Sequence, residues 1–219
     1  MYFSTTGEVY TATPLFTGSI TYLSFTAWIK TSSTEANQYI LTQRSISSIV
    51  GQYSLQLSNG VLFYWDYDTT QRFNTKASTN LRDGKWHHVA FVKNNLNGYY
   101  YVDGVLDGTN NATTLISFSS FPFTIGLNHR DMNFGFDGEI EDVRAYDRVL
   151  TESEISVMAK STGNDFIYNG LLRRFLLTGP YGVVPNSSYP VKDLNGTTTL
   201  TPTNNPEYRG SFVGRKRCY

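Results

Sequence analysis

The sequence contains a single cysteine, Cys218, close to its last residue. One thiol cannot form a disulfide within the chain, and it cannot supply the several thiolates of a zinc or iron–sulfur site. The fold must therefore depend on a hydrophobic core, and 219 residues are enough to build one. This length favours one large all-β domain over residues 1–219 rather than two small domains.

Charged residues and long apolar runs are also scarce. Only 16% of the residues are charged, and 18 basic residues balance 18 acidic ones, so no nucleic-acid partner is expected. No apolar run approaches the roughly 20 residues of a membrane-spanning helix, so no membrane insertion is expected. Residues 1–10 lack a basic region followed by an apolar stretch, which predicts no secretory signal and synthesis in the cytoplasm.

Aromatic residues are abundant, with 16 Tyr and 14 Phe, and aromatic side chains favour strands. Short alternating segments recur along the chain between turn sequences. Asn59-Gly60, Asn97-Gly98 and Asp103-Gly104 each predict a tight hairpin turn. The pattern as a whole predicts an all-β fold built as an antiparallel sandwich of two sheets.

One short helix is predicted over residues 151–160. Thr151 can cap its first turn, and Glu154, three residues further on, can reach back to close a capping box. This helix directly follows a strand with the sequence GEIEDVRAY, so the exit of that strand is expected to be fixed by the helix.

Four motifs follow one another in a specific order. They are FTAWIK at 25–30, DGKWHHVAFV at 83–92, YVDG at 101–104 and GEIEDVRAYDRVL at 138–150. In this order they resemble the laminin-G-like and pentraxin-like domains of the concanavalin A-like lectin/glucanase superfamily. The resemblance covers residues 1–160 and implies a jelly roll, a fold that binds ligands more often than it catalyses reactions.

The remaining tail, residues 165–219, resembles the strands that open other family members. LLRRFLL at 171–177, VKDLNGTTTL at 191–200 and EYRGSF at 207–212 carry this likeness. Their position predicts a circular permutation that moves the family's first strands to the end, which a jelly roll tolerates when its termini are close. The alternatives are that the tail supplies these strands to a neighbouring copy, or that it is an unrelated extension.

Glu139 and Glu141 invite comparison with laminarinase-type glycoside hydrolases, which share this superfamily. Those enzymes carry a Glu-x-Asp-x-(x)-Glu strand, whereas position 143 here is Val, and Asp142 should face away unless a bulge intervenes. The domain is therefore predicted not to be an enzyme. His87 and His88 are adjacent in a strand and face opposite sides, so they are not expected to share a metal ion.

Calcium is a further expectation from the resemblance, because many relatives carry a calcium site in a loop. Calcium takes six to eight oxygen ligands. The corresponding loop here, 128–137, also holds His129 and Arg130, which depart from the acidic loop of pentraxin-like relatives. Calcium is thus expected to be optional rather than required. The candidate metal ligands are Asp131 and Asp137, with Asp66 and Asp68 as further candidates.

Aromatic side chains beside polar groups are the usual platform for a glycan. In the strand at 61–68, alternation groups Trp65 and Tyr67 with Val61 and Phe63, which we interpret as the core face. The other face is then exposed, and the same argument exposes the middle tyrosine of the run 99–101. The predicted ligand-binding residues are Tyr64, Asp66, Asp68 and Tyr100.

These observations favour a non-catalytic structural or adhesion module. Since no secretory signal is expected, we predict a capsid decoration or fibre protein on the surface of a virion or phage. Its expected partners are other copies of itself, capsid or other structural proteins, and cell-surface glycans. The alternatives are a calcium-assisted carbohydrate-binding lectin module and, less favoured because its acid motif is incomplete, a laminarinase-like glycoside hydrolase.

Overall fold

The computed structural model describes residues 1–4, 7–45, 48, 50–67, 73, 76–112, 114–127, 134–179, 181–186, 188, 190–195 and 198–209. Within them lie sixteen strands and one helix, α1 (Glu152–Ser161). The strands are, in chain order, β1 (Tyr2–Phe3), β2 (Glu8–Thr11), β3 (Gly18–Ser19), β4 (Tyr22–Lys30), β5 (Asn37–Gln43), β6 (Gln52–Ser58), β7 (Val61–Tyr67), β8 (His87–Asn94), β9 (Asn97–Val102), β10 (Val105–Asn111), β11 (Ser117–Phe118), β12 (Phe123–Ile125), β13 (Gly138–Tyr146), β14 (Leu171–Phe175), β15 (Val191–Lys192) and β16 (Thr199–Thr203).

The strands form two large sheets. The first sheet has the order β1–β13–β4–β8–β9–β10, and β14 also pairs with β13. The second sheet has the order β15–β16–β2–β12–β5–β6–β7, while β3 and β11 form a separate two-stranded ribbon. Neighbouring strands run antiparallel, as in β4–β8 and β6–β7. The prediction of an antiparallel two-sheet sandwich with one short helix is confirmed.

Two hairpin turns form where the sequence predicts them. Asn59 and Gly60 both have positive φ, 53° and 86°, as do Asp103 and Gly104, 51° and 83°, which is the geometry of a two-residue type I′ turn. The prediction of a turn at Asn97-Gly98 is wrong, because both residues lie in β9 and the chain reverses two residues earlier, at residues 95–96.

Gly98 is needed for packing rather than for a turn. A Cβ at this position would lie 2.9 Å from ring carbons of Phe73 and Phe91, closer than such atoms normally approach. The glycine therefore lets two aromatic rings of the core lie against the backbone of β9.

The helix α1 begins as its capping sequence predicts. The Thr151 hydroxyl accepts a hydrogen bond from the Glu154 amide at 3.2 Å, and the Glu154 carboxylate accepts one from the Thr151 amide at 2.8 Å. The same carboxylate pairs with Arg148 through both of its oxygens. The hydrogen bonds from Arg148 outweigh partial burial and lower the pKa of Glu154 to about 2.

The main core fills the space between the two sheets. Phe25 of β4 and Phe91 of β8 meet Leu55 of β6 and Tyr64 of β7 there, and all four side chains are fully buried. A second apolar cluster lies on the outer side of the first sheet, where Ile155 and Met158 of α1 pack against β8, β9 and β13. The helix thus covers the outer face of the first sheet, and it does not cover the outer face of the second sheet.

The tail beyond α1 contributes strands to both large sheets. β14 pairs with residues 143–146 of β13, β16 pairs with β2, and β15 pairs with β16. β1 pairs with residues 138–139 of β13, so β1 and β14 lie one after the other along the side of β13 opposite β4. The described strands of the tail therefore pair within the same chain. Their origin by circular permutation stays a prediction.

Candidate functional site

The outer face of the second sheet is polar where it crosses β6. Leu55 and Leu57 of this strand point into the core, while Ser54 and Gln56, which alternate with them, lie on the opposite face. This clean alternation identifies the two faces of the strand and, through cross-strand pairing, those of its neighbours.

Strand β7 turns aromatic side chains toward both faces. Leu55 pairs with Tyr64, and Ser54 pairs with Trp65. Residues directly opposite in a sheet share a face, so Tyr64 points into the core and Trp65 points outward. Tyr64 is fully buried and Trp65 is partly exposed. The predicted exposure of Tyr64 and the predicted core position of Trp65 are therefore both wrong.

The other predicted ligand-binding residues that the structure describes are buried as well. Tyr64 stacks on Phe91 of the first sheet with ring centroids 4.0 Å apart, and burial raises its pKa well above the usual range. Tyr100 is fully buried beside it, and Asp66 is 1% exposed. Asp68 lies outside the described residues. Tyr64, Asp66 and Tyr100 are therefore not available to a ligand, and the exposed aromatic side chains of β7 lie on its opposite face.

Arg44 occupies the middle of that opposite face, directly after β5. Its guanidinium carbon lies 4.8 Å from the ring centroid of Trp65 and 5.5 Å from that of Tyr39, within cation–π range of both. Its Nε donates a hydrogen bond to Oε1 of Gln52 at 3.0 Å, and its Nη1 donates one to the Tyr39 hydroxyl at 2.9 Å. These contacts fix the plane of the guanidinium between two aromatic rings.

Further aromatic and cationic groups continue this surface. Trp65 stacks on Tyr67 with ring centroids 5.3 Å apart and planes 10° apart. Lys76 lies with its Nζ 5.6 Å from the centroid of Phe63 and donates a hydrogen bond to the Ser58 hydroxyl at 2.7 Å. Together these side chains enclose a depression of about 450 Å³ that we name the aromatic face, lined by Asn37, Tyr39, Arg44, Gln56, Ser58, Phe63, Trp65 and Lys76.

A signal for this surface is present in the sequence. The two-residue turn at Asn59-Gly60 pairs Ser58 with Val61, which fixes the register of the whole hairpin. In β6 the leucines mark the core side unambiguously, so counting back from the turn places Trp65 opposite Ser54, on the polar side. Sequence reasoning missed the site because it assigned the faces of β7 from that strand alone.

The glutamates of β13 are held within the fold. Glu139 and Glu141 lie on one face of the strand, as predicted. The Glu139 carboxylate accepts a hydrogen bond from Lys30 Nζ at 2.9 Å, and Glu141 is fully buried. Neither arrangement leaves a pair of accessible carboxyl groups of the kind that glycoside hydrolysis requires.

A β-bulge does intervene at Asp142. The pairing of β13 with β4 shifts between Glu141 and Arg144, and Asp142 has a positive φ of 48°. The bulge brings Asp142 to Arg144, and the Arg174 Nε of β14 also donates to its carboxylate at 2.7 Å. Asp165 pairs with the other side of Arg144 at 2.6 Å. Asp142 is thus a buried structural carboxylate between two guanidinium groups.

Comparison with known proteins assigns the family. A laminin G sequence profile, described as the concanavalin A-like lectin/glucanases superfamily, matches residues 3–156, which is more than half of the chain. The chain belongs to this family. The resemblance inferred from the four sequence motifs is confirmed, and no match was found among curated proteins.

Solved structures show the same fold for this laminin-G-like domain. A candidate carbohydrate-binding protein from Bacteroides ovatus superimposes with a TM-score of 0.71 at 16% identity, over 95% of this chain and 59% of that one. The domain thus spans well under two thirds of that protein. A carbohydrate-binding module of a Ruminococcus gnavus sialidase, bound to sialyllactose, gives 0.55 at 18% identity over 66% and 84% of the chains. Domain 4 of a Geobacillus stearothermophilus arabinanase, in complex with arabinotriose, gives 0.54 at 21% over 66% and 69%.

The laminin-G-like domain does not assemble a calcium site from its described residues. Asp137 accepts a hydrogen bond from the Tyr2 hydroxyl at 3.2 Å and lines a depression of about 430 Å³ with Lys30 and Glu139, which are paired with each other. No group of three His, Cys, Asp or Glu side chains suited to a metal ion occurs in the part of the chain that is described. A single carboxylate does not fit calcium, while Asp131, the other predicted ligand, lies outside the described residues.

No helix among the described residues is long and apolar enough to cross a bilayer.

The adjacent histidines have different environments. The His87 ring lies between two carboxylates, with Nδ1 2.8 Å from Asp103 and Nε2 3.0 Å from Asp83. Partial burial acts to lower its pKa, but the hydrogen bonds to Asp103 and Asp83 outweigh it, so the pKa of His87 is raised above 6.5. His88 is buried against Trp28, and burial, aided by Arg144, lowers its pKa from 6.5 to about 4.

These opposite shifts predict a stability maximum near pH 6.5. His87 holds its proton more tightly in the folded state, so its contribution is complete below pH 6.5 and is lost as the pH rises through its folded pKa. His88 resists protonation in the folded state, so stability is lost as the pH falls from 6.5 toward about 4. Urea unfolding of His87→Gln should lose the decline above neutral pH and keep the acidic one. An unchanged decline above neutral pH would contradict this role of His87.

Proposed function

We propose that this laminin-G-like domain is a non-catalytic carbohydrate-binding module that binds sugar on the aromatic face. The observation that carries the proposal is the convergence of Trp65, Tyr39 and Arg44 with the amide of Gln56 in one depression. Ligand sites of this size combine aromatic walls with a few fixed polar groups. A sugar ring has apolar C–H faces that fit an indole and hydroxyl edges that fit a guanidinium and an amide.

The polar groups of this face are positioned before any ligand arrives. The Gln56 Oε1 accepts a hydrogen bond from the Ser54 hydroxyl at 3.2 Å, and among the described residues none accepts one from its Nε2, which is available to a ligand. Gln52 and Tyr39 hold Arg44, and Trp65 rests on Tyr67. Little side-chain freedom remains to be lost on binding, which favours affinity.

The structural neighbours support the same function. One is described as a candidate carbohydrate-binding protein, and two others were solved with an oligosaccharide bound. Because their identities to this chain are between 16% and 21%, they support a fold suited to sugar binding, and the residues of the aromatic face carry the specific argument.

The contacts of the β13 carboxylates favour binding without hydrolysis, because Glu139, Glu141 and Asp142 are engaged in pairing or burial. A position on a virion or phage surface, with copies of itself or capsid proteins as partners, stays a prediction from the sequence. Glycan binding would serve adhesion in such a setting. Assistance by calcium through the loop 128–137 also stays a prediction.

Replacement of Trp65 tests the binding face. Trp65→Ala should lower the affinity for the best-bound oligosaccharide of a glycan array at least about tenfold, because the stacking surface of a binding hot spot is removed. Isothermal titration calorimetry with that oligosaccharide measures the change.

The matched control is Phe166→Ala, which removes an aromatic side chain that is 86% exposed in the segment after α1. This variant should bind like the wild type. Failure of the wild-type domain to bind any arrayed glycan, or equal affinity of Trp65→Ala and wild type, would overturn the proposal.

A further inference from the structure

We infer that the sugar bound on the aromatic face is acidic, a glycan that carries a carboxylate or sulfate group. The inference rests on the proposed function and adds the chemical class of the ligand. Its basis is the charge on this face: two cations line the depression, and among its described lining residues no carboxylate balances them. The chain as a whole has zero net charge, so the positive charge here is local.

The first cation, Arg44, has donors left over. A guanidinium carries five N–H donors in a planar fork. Nε and Nη1 of Arg44 bond to the neutral oxygens of Gln52 and Tyr39, and none of the described residues accepts a hydrogen bond from Nη2. Because Arg44 lines the depression, the N–H groups that its described partners leave over are available to pair with the two oxygens of a carboxylate or sulfate.

The burial of Arg44 strengthens this attraction. Only 5% of the residue is exposed, so the charge lies on the floor of the depression between two aromatic rings. Water screens such a charge less than it screens a cation on an open surface, so an anion brought to it is held more strongly. Its neutral hydrogen-bond partners orient the group without cancelling its charge.

The second cation, Lys76, is held in the same way. Its ammonium donates to the hydroxyl of Ser58, a neutral acceptor, which leaves two of three donors for a ligand. The acid in β7, Asp66, points into the core. There its negative charge stabilises the charged form of the buried Lys93, so it lies on the opposite face of the strand from Lys76. The aromatic face therefore combines a stacking surface with two cations that no described residue pairs with a carboxylate, whereas a site for neutral sugars needs only hydroxyl partners.

The experiment compares acidic sugars with their neutral counterparts by isothermal titration calorimetry on the whole chain. The probes are sialyllactose and lactose sulfate against lactose, and oligogalacturonate against its methyl ester. An oligonucleotide of similar charge serves as a polyanion without a pyranose ring. At least one acidic sugar should bind at least about tenfold more tightly than its neutral counterpart, and added salt should reduce the difference. Sialyllactose and oligogalacturonate test for a carboxylate ligand, and lactose sulfate tests for a sulfate ligand.

Two variants locate the effect. Arg44→Gln and Lys76→Gln should each remove most of the preference for the acidic sugar, measured for each variant as the ratio of its affinity for the acidic sugar to its affinity for the neutral counterpart. The matched control is Lys85→Gln, since the Lys85 side chain is 79% exposed and lies outside the aromatic face. Its preference for the acidic sugar should equal that of the wild type.

The possible failures are distinguishable. Equal affinity for acidic and neutral sugars, or an acidic preference that survives both variants, would overturn the inference and leave the proposed function intact. Binding of the oligonucleotide as tight as that of the acidic sugar would overturn it in favour of general polyanion binding. Absence of binding to every sugar, on the array and in solution, would overturn the proposed function itself.

Discussion

Asp142→Asn is expected to reduce the free energy of unfolding by about 3–5 kcal/mol, the cost of removing one partner from a buried ion pair. Asp142 is 2% exposed and accepts hydrogen bonds from both Arg144 and Arg174. Asparagine keeps the shape of the side chain and tolerates the positive φ of the bulge, so the change removes the negative charge and replaces one acceptor oxygen by an amide donor without disturbing the backbone. Arg174 then loses its charged hydrogen-bond partner in the interior and keeps only neutral acceptors there, among them the backbone oxygen of Gly163.

Equilibrium unfolding in urea measures this loss. The control is Glu139→Gln on the same strand, whose partner Lys30 is 39% exposed, so its ion pair should contribute no more than about 1 kcal/mol. If the two variants are destabilised equally, the network around Asp142 does not join β13 to β14 in the way described. The result also bears on the tail, because Arg174 belongs to the first strand after α1.

Substitutions of the neighbouring residues Tyr64 and Trp65 in β7 should differ in their effects, the first lowering mainly stability and the second mainly sugar binding. Tyr64→Ala is expected to cost about 3–5 kcal/mol of stability, because it empties a core site between Phe91, Phe73 and Tyr100. Trp65→Ala should cost only about 1 kcal/mol, since it removes one stacked aromatic pair from a partly exposed position.

Binding should show the reverse order. Trp65→Ala abolishes most sugar binding in our proposal, whereas Tyr64→Phe, which keeps the core filled, should bind like the wild type. Thermal unfolding and calorimetry on the same preparations measure both effects. A larger stability loss for Trp65→Ala than for Tyr64→Ala would show that the faces of β7 are assigned incorrectly.

Local sequence signals predict much of this fold because they act over a few residues. Asn59-Gly60 and Asp103-Gly104 adopt positive φ at both positions, which few other residue pairs do without strain. Thr151 and Glu154 satisfy each other's backbone amides, and no distant residue is needed. Each of the four motifs is also a short segment, and their order along the chain identifies the family.

The candidate site was beyond a strand-by-strand prediction, because its residues are chosen by partners in neighbouring strands. The sequence VLFYWDY has aromatic rings on both faces, so alternation alone cannot name the core side of β7. Asp142 changes face only because a bulge forms against β4, and Gly98 is required by two rings that are distant in sequence. Arg44 follows a strand and belongs to no motif, yet it lies at the centre of the proposed site.

The arrangement of β1 and β14 along one side of β13 has a consequence for biogenesis. A fragment that stops after α1 would leave the backbone groups of residues 143–146 without the partners that β14 supplies. Such an open edge is a template for pairing with another chain, so an incomplete polypeptide is exposed to aggregation until the segment that carries β14 arrives. During synthesis on the ribosome, the open edge of β13 must therefore be protected, or the sheet must form late, until β14 has emerged.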